Sequence, residues 1–398
     1  MHTRMRVVTM KYPAILGYGF RPFFLAAGAA AVALIPWWAG SVVLGLPLHT
    51  AWPGTLWHAH EMLFGFLGAA VAGFLLTAVP SWTGQRGFAG GPLLLLVSVW
   101  LAGRVLVATS SYWPLLVCAV VDCAFLPLLA AFLLPPLLRG ANRNTRLLLV
   151  LAALALVNVV FYTGIAQGST TLARGALLTG VNLVLLLVTV IGGRVLPAFT
   201  TSALRQRDDP TPLRSWRHID EAAVAAMVAV LVVDLLAGPA RLAGLVALGA
   251  ALLQALRLYQ WRGLRTLGMP ILWVLHLAYA WLPLGLALKG VALVWGIGAG
   301  WSWLHALTIG VAALMTLGIM SRASLGHTGR PLVVQPITAW AYALLATSAA
   351  VRALGPATGA SYSLLIAVAA LLWTAAFGIF LWVYGPILCS ARADGRPG

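Results

Sequence analysis

The stretch Trp57-His58-Ala59-His60-Glu61-Met62 stands at the mouth of a long apolar run, Leu63 to Pro80. Such a run approaches the length, about 20 residues, that carries a helix across a bilayer core. The chain has only eight acidic residues and eight histidines among its 398 residues, so three such groups at one membrane boundary stand out. Ionisable groups are unfavourable there unless they bind something or one another. The stretch therefore predicts a membrane-spanning helix with a metal site at its start.

The remainder of the chain has the same character. It is 62% hydrophobic and 8% charged, with a mean hydropathy of +0.96. Soluble domains carry roughly a quarter charged residues, so a soluble fold is excluded. The expectation is an all-α polytopic membrane bundle in which residues 1–398 form a single integral membrane domain. The basic start, Met1 to Lys11, leads into an apolar run long enough to span, which predicts a retained helix and no cleaved signal peptide. Cys118, Cys123 and Cys389 give neither a paired spacing nor a CxxC site, so no disulfide framework is expected.

Twelve spans are expected, at about 23–46, 59–80, 91–109, 112–134, 147–167, 172–196, 219–238, 241–258, 270–289, 299–321, 332–354 and 361–388. Turn chemistry separates them, at Pro47, Pro53, Gly90-Gly91-Pro92, Pro135-Pro136, Asp209-Pro210, Gly238-Pro239 and Gly355-Pro356. The basic residues test this count. Of the 25 Lys and Arg, all but Arg104, Arg174, Arg241, Lys289 and Arg352 fall in the termini and the even-numbered loops. Positive charge gathers on the cytoplasmic side, so both termini are expected there. This alternation also explains the formal net charge of +17. The charges are not gathered into a nucleic-acid-binding tract, and no nucleic acid partner is expected; the partner is the lipid bilayer.

This topology puts His58, His60 and Glu61 at the outer end of the second span and His305 near the outer end of the tenth. His276 falls in the inner part of the ninth, and His327 in the inner loop Ser321 to Arg330. His2, His49 and His218 read as solvated. On a regular helix of about 3.6 residues per turn, His58 shares a face with Glu61, Met62 and the small residues Gly65, Gly68, Ala69, Ala72 and Gly73. His60 points away. The small stripe either lets a neighbouring helix approach closely or leaves a flat groove for a planar cofactor. Leu56-Trp57-His58-Ala59 also resembles Leu304-His305-Ala306, which puts His58 and His305 at similar depth.

Imidazole suits haem iron, copper and zinc, and Met62 adds a soft ligand for Cu(I). The expected metal-ligand pool is His58, His60, His276, His305, His327 and Met62. His276 and His305 lie roughly 15–20 Å apart in depth at 1.5 Å per residue, which favours two centres. The outer would gather His58, His60 and His305, and the inner His276 and His327. Glu61 and His60 are the catalytic candidates, as a carboxylate orienting an imidazole or passing protons. Arg21, Arg194, Arg322 and Arg330 are candidate partners for haem propionates. A proton relay through the same histidines, with Asp122, Asn158 and Asn182, is the rival reading. No P-loop, dinucleotide fingerprint, HExxH or CxxCH is present, so any haem would be non-covalent.

Several pieces together resemble the NnrS family: Gly19-Phe20-Arg21-Pro22-Phe23-Phe24, Trp57 through Gly65, Gly193-Arg194 with Pro197 and Phe199, His276-Leu277-Ala278-Tyr279, and His305-Ala306-Leu307-Thr308 through Ser321-Arg322 to Gly326-His327-Thr328-Gly329-Arg330. The resemblance implies a twelve-helix protein of the bacterial inner (cytoplasmic) membrane that holds haem, b-type by the lack of an attachment motif, and copper. It also implies a role in nitric oxide metabolism or the nitrosative-stress response, including denitrification. As an enzyme, such a protein would reduce nitric oxide or a related small N-oxide with electrons from a quinol or a donor protein. The alternatives are a non-catalytic haem or copper sensor or carrier, and a proton-coupled transporter.

Overall fold

The computed structural model describes residues 12–395 apart from 140–142, 208–212, 214, 215, 237–239 and 299. Arg4, Arg6, Lys11, Arg214, Arg396 and His2, and the turns at Asp209-Pro210 and Gly238-Pro239, lie outside the described residues. The described residues contain no strand, and the long helices fall at each of the twelve expected places. In chain order they are α1 (Phe20–Val43), α2 (Gly54–Thr83), α3 (Gly91–Ala108), α4 (Leu115–Leu138), α5 (Leu147–Ala166), α6 (Thr170–Arg205), α7 (Arg217–Leu235), α8 (Ala240–Gln260), α9 (Pro270–Trp295), α10 (Ser302–Gly326), α11 (Pro336–Ala353) and α12 (Tyr362–Cys389).

Ten of these helices are long and apolar enough to cross a membrane. The outer surface agrees: Leu94, Leu101, Leu116, Leu149 and Leu371 are exposed, a face that water would not tolerate at this scale and lipid would. The other two are α7 and α11. The first carries Arg217, Asp220, Glu221 and Asp234, and the second several polar residues and Arg352.

Local signals set the ends. Pro92, Pro270 and Pro336 occupy the first turns of α3, α9 and α11, where a missing N–H costs nothing. The Ser169 and Ser361 hydroxyls accept from the Leu172 and Leu364 amides and cap α6 and α12. Gly84 takes φ 66° to end α2, a conformation that suits glycine. The buried Arg21 donates from Nη1 to the carbonyls of Leu388 at 2.9 Å and Ser390 at 2.6 Å, so it closes the C-terminal end of α12.

From α3 onwards each helix packs on the next, and α12 returns to α1. The bundle is a closed ring. Within it, α2 also packs on α4, and α6 crosses to α10. At 1.5 Å per residue, α6 with its 36 residues is about 54 Å long, well beyond a core of about 30 Å. It continues past the expected end at 196 to Arg205, on the side of the two termini.

Two helices are not regular. Glu61–Leu67 in α2 and Ala306–Ala313 in α10 are π-helical, with wider turns than the α-helix on either side. Each begins directly after a histidine, His60 or His305. The likeness between these stretches thus extends to their backbone.

Buried charge pairs hold α7 in the ring. At its end, Asp234 accepts from Asn182 of α6 at 2.8 Å and pairs with Lys289 of α9. Near its start, Asp220 accepts from Arg257 of α8 at 2.7 Å. Arg257 also donates to the Thr189 carbonyl of α6 at 2.7 Å and the Tyr279 hydroxyl of α9 at 3.1 Å. A Cβ on Gly193 would overlap this guanidinium, which gives the Gly192-Gly193-Arg194 stretch a packing role. Lys289 is 3% exposed, so Asp234→Ala leaves a buried ammonium without its counter-ion. Breaking such a pair costs about 3–5 kcal/mol. Thermal unfolding in detergent is expected to show that loss, and a double variant Asp234→Leu with Lys289→Met is expected to recover most of it. A double variant less stable than the single would contradict the pairing.

Candidate cofactor cavity

A cavity of about 410 Å³ opens between α1, α2, α6, α10, α11 and α12 at the end of the bundle away from the termini. His58 enters it from α2 and His305 from α10. Each sits at or just before a π-helical segment, which sets how the ring is presented. Trp38 of α1 stacks on His58, with ring centroids 4.9 Å apart and planes at 12°. Met62 lines the same wall one turn further on. The Nδ1 atoms of both histidines are buried with no hydrogen-bond partner among the described residues.

Two guanidinium groups face this cavity. Arg352 of α11, 8% exposed, donates from Nη2 towards His305 Nε2 and the Tyr362 hydroxyl, each at 3.4 Å. Its Nη1 is buried with no partner among the described residues. Arginine only donates, so the shared lone pair on His305 is on Nε2 and its proton on Nδ1. Arg174 of α6 lines the exposed rim. The remaining wall is mostly apolar, with Leu63, Phe66, Val181, Ile309 and Trp373 among its members, and among the described residues no carboxylate lines it. Neither Arg352 nor Arg174 is among the arginines expected from the sequence to meet a cofactor. Both, however, are among the five cations that break the positive-inside alternation, and that was the available signal.

His60 belongs to a different group. Its Nε2 donates to Asn158 Oδ1 at 3.0 Å and lies 3.2 Å from Asp122 Oδ2. Its Nδ1 faces Glu61 Oε1 at 3.3 Å. Arg104 of α3 bridges Glu61 and Asp122. Asn158 and the Tyr162 hydroxyl of α5 donate to Asp122 Oδ2 at 2.8 and 3.2 Å. Both His60 nitrogens face acceptor oxygens. The cluster of two carboxylates, one guanidinium and one imidazole is charge-balanced when the ring carries both protons.

The structure therefore separates His60 and Glu61 from His58 and Met62. The expectation that Glu61 shares a face with His58 rested on a regular helix. The Glu61 carboxylate instead pairs with Arg104 of α3 and faces His60 Nδ1, which draws it to the side of His60. The small stripe is filled by neighbouring helices: a Cβ on Gly65 would meet Arg104, one on Gly68 would touch Phe125, and one on Gly73 would meet Phe24. It is a helix-packing surface.

The expected inner pair is not brought together. The Thr200 hydroxyl donates its one proton to the Leu196 carbonyl at 2.8 Å. His276 Nε2, 2.9 Å from that hydroxyl oxygen, is then the donor. Its Nδ1 is buried against the backbone of Gly263, with Trp261 edge-on to the ring. His327 instead stacks on Tyr18, with centroids 6.2 Å apart at 16°, and packs on Phe20. Burial, and then the Arg392 charge, holds its pKa below the ordinary histidine value. The two histidines share none of these neighbours. No group of three or more His, Cys, Asp or Glu among the described residues is placed to hold a metal ion.

The arginines expected at propionates have other contacts. Arg194 donates to Asn144 at 2.9 Å, Arg322 lies 3.8 Å over the Phe199 ring, and Arg330 reaches the Thr328 carbonyl at 3.5 Å. Arg322 is 17 residues along α10 from His305, about 25 Å away in depth.

Arg104 is the hinge of the His60 cluster. Arg104→Met leaves Glu61 and Asp122 buried without their cation, and is expected to lower stability by about 3–5 kcal/mol. Adding Asp122→Asn is expected to restore part of the loss. Detergent melting curves test both, and a single variant as stable as the parent would contradict the arrangement.

The chain is matched from residue 14 to residue 392 by the family described as NnrS protein. No curated protein matches it. The match takes in all twelve helices, both π-helical segments and every side chain of the cavity, and on that extent the chain belongs to the NnrS family.

Proposed function

We propose that this protein holds a haem in the cavity between α2 and α10 and captures nitric oxide there. The observation that carries this reading is the donor set. Two buried imidazoles with unpaired nitrogens share one mostly apolar cavity with two guanidinium groups, and among the described residues no carboxylate lines it. Haem asks for an imidazole on its iron, apolar walls for its ring and cations for its propionates. The volume, about 410 Å³, lies in the range of small-molecule and cofactor sites, about 300–1,000 Å³. The residues present fit the group.

His58 and His305 would be the candidates to hold the iron, and Arg352 and Arg174 the propionate partners. A haem iron would supply the atom that binds nitric oxide. The chain does the rest. Trp38 fixes the plane of the His58 ring. Arg352 reaches His305 through Nη2 and has Nη1 without a partner among the described residues, so one guanidinium can touch an imidazole and pair with a propionate. Leu63, Phe66, Ile309 and Trp373 keep water from the ring. Met62, on the same wall as both imidazoles, favours copper as a second occupant, since thioether with imidazole suits Cu(I).

His60 and Glu61 act from behind, by fixing the π turn that presents Met62. Reduction of nitric oxide would need protons and a quinol or other donor. The nearest described carboxylates, Glu61 and Asp122, face the far side of α2. The geometry favours capture, as a sensor or carrier, over turnover. Proton-coupled transport is disfavoured as well, because the buried ionisable groups form separate closed clusters instead of a file across the bundle. Membership of the NnrS family supports the bacterial inner membrane as its location, and the charge pattern supports both termini in the cytoplasm, which would set the cavity at the outer face.

The purified protein is expected to show a Soret band that shifts when nitric oxide is added anaerobically. His305→Ala and His58→Ala are each expected to lose or alter that band. Arg352→Gln is expected to retain the ligands but to release haem about 10- to 100-fold more readily, the weight of a hydrogen bond to a charged group. A wild-type protein with no Soret band, or a His58→Ala/His305→Ala double variant with an unchanged one, would overturn the assignment.

A further inference from the structure

A second cavity, of about 100 Å³, lies deeper in the bundle between α1, α2, α6 and α10. Its lining includes Ala70 of α2, Val188 of α6, and Ala312, Met315 and Ile319 of α10. Leu67 belongs to its wall and to the wall of the cavity that holds His58 and His305. The two spaces are therefore neighbours, with the Leu67 side chain in both walls. Both are bounded by the same three helices, α2, α6 and α10, and follow one another down the bundle.

The deeper space has three further properties. No charged side chain lines it, and Thr316 is the one hydroxyl in its wall. Val188 and Ile319 are half-buried, so the space reaches the bundle surface. Ile319 lies 14 residues along α10 from His305, about 21 Å deeper at 1.5 Å per residue, where the surface of a spanning helix meets hydrocarbon and not water.

We infer that this crevice is a lateral passage by which a small uncharged diatomic molecule moves from the bilayer core to the cavity of His58 and His305. The walls exclude ions and give water no set of polar partners. An apolar cavity of about 150 Å³ in a protein stays dry and takes up benzene or xenon. At about 100 Å³ the crevice is smaller still, with room for a diatomic and not for a quinol ring. An uncharged diatomic partitions into the layer on which the crevice opens. Leu67 is the gate, because it alone stands in both walls among the residues of α2, α6 and α10. The inference rests on the proposed haem site for its destination, but not for the existence of the passage.

The test has two arms. Crystals pressurised with xenon are expected to show it beside Leu67, Ala70 and Ala312, and to lose that occupancy in Leu67→Trp. Val188→Trp, at the half-buried side where extra volume is better tolerated, is a second variant with the same expectation. In haem-loaded protein, carbon monoxide recombination after photolysis is expected to slow by about tenfold, equivalent to about 1.4 kcal/mol of added barrier, in both variants. Xenon absent from the wild-type crevice, or an acyl chain filling it, would overturn the passage whatever the spectrum shows. Recombination unchanged in a Val188→Trp protein that has lost xenon would overturn it too. Xenon present in a protein without haem would leave the passage standing and end the haem reading.

Discussion

Inside a hydrocarbon layer no water is at hand to satisfy a polar group, so each must find its partner in the protein. Nearly every buried charge in this bundle obeys that constraint. Arg104 is held between Glu61 and Asp122, Arg257 by Asp220, and Lys289 by Asp234. The pairs join helices that are neighbours or near neighbours in sequence, α2 and α4 to α3, and α8 and α9 to α7. The constraint also makes the exceptions informative. His58 Nδ1, His305 Nδ1 and Arg352 Nη1 are buried without partners among the described residues, and all three residues border one cavity. Other buried atoms, His276 Nδ1 and Glu61 Oε2 among them, also lack partners among the described residues, but it is these three that gather on the wall of one cavity, where a ligand would complete them.

The fold was legible because it depends on two signals that a sequence carries directly. Apolar length marks a span, and the side on which Lys and Arg gather marks its direction. Even α7, with four charges, was found, since Asp220 and Asp234 lie near its ends and left an apolar stretch between. The length of α6 was not legible: nothing in Arg194 to Arg205 shows that the helix runs on past the membrane. Nor were the π turns. A π turn does not alter composition, and the wheel drawn for α2 assumed that no such turn was there.

Contacts between distant helices separated what was legible in the site from what was not. His58, His60 and His305 could be singled out because imidazoles are rare in this chain, and the short likeness around His58 and His305 spoke for equal depth. The partners of His60 could not be found, since Asn158 and Asp122 stand on other helices, far along the chain. Arg104, Arg174, Lys289 and Arg352 were visible only as departures from the charge alternation. Each has a buried pair or a cavity to explain it. In a spanning protein a cation on the sparse side is therefore better read as a candidate internal group than as noise in the topology.

The two π-helical segments bring these points together. A π turn forfeits good α-helical packing and persists where something holds it. In α2 that hold is visible: Trp100 donates to the Gly65 carbonyl at 3.1 Å, and Glu61 is drawn to Arg104 on the far side. In α10 the turn begins at His305, next to Arg352. In both helices the irregular stretch follows a histidine facing the cavity and itself carries a residue of the crevice wall, Leu67 in α2 and Ala312 in α10. The cavity and the crevice thus border the same two irregular stretches, one in each of two facing helices. A substitution that relaxed either π turn to a regular α-helix would rotate every residue beyond it by part of a turn, and would disturb both spaces at once.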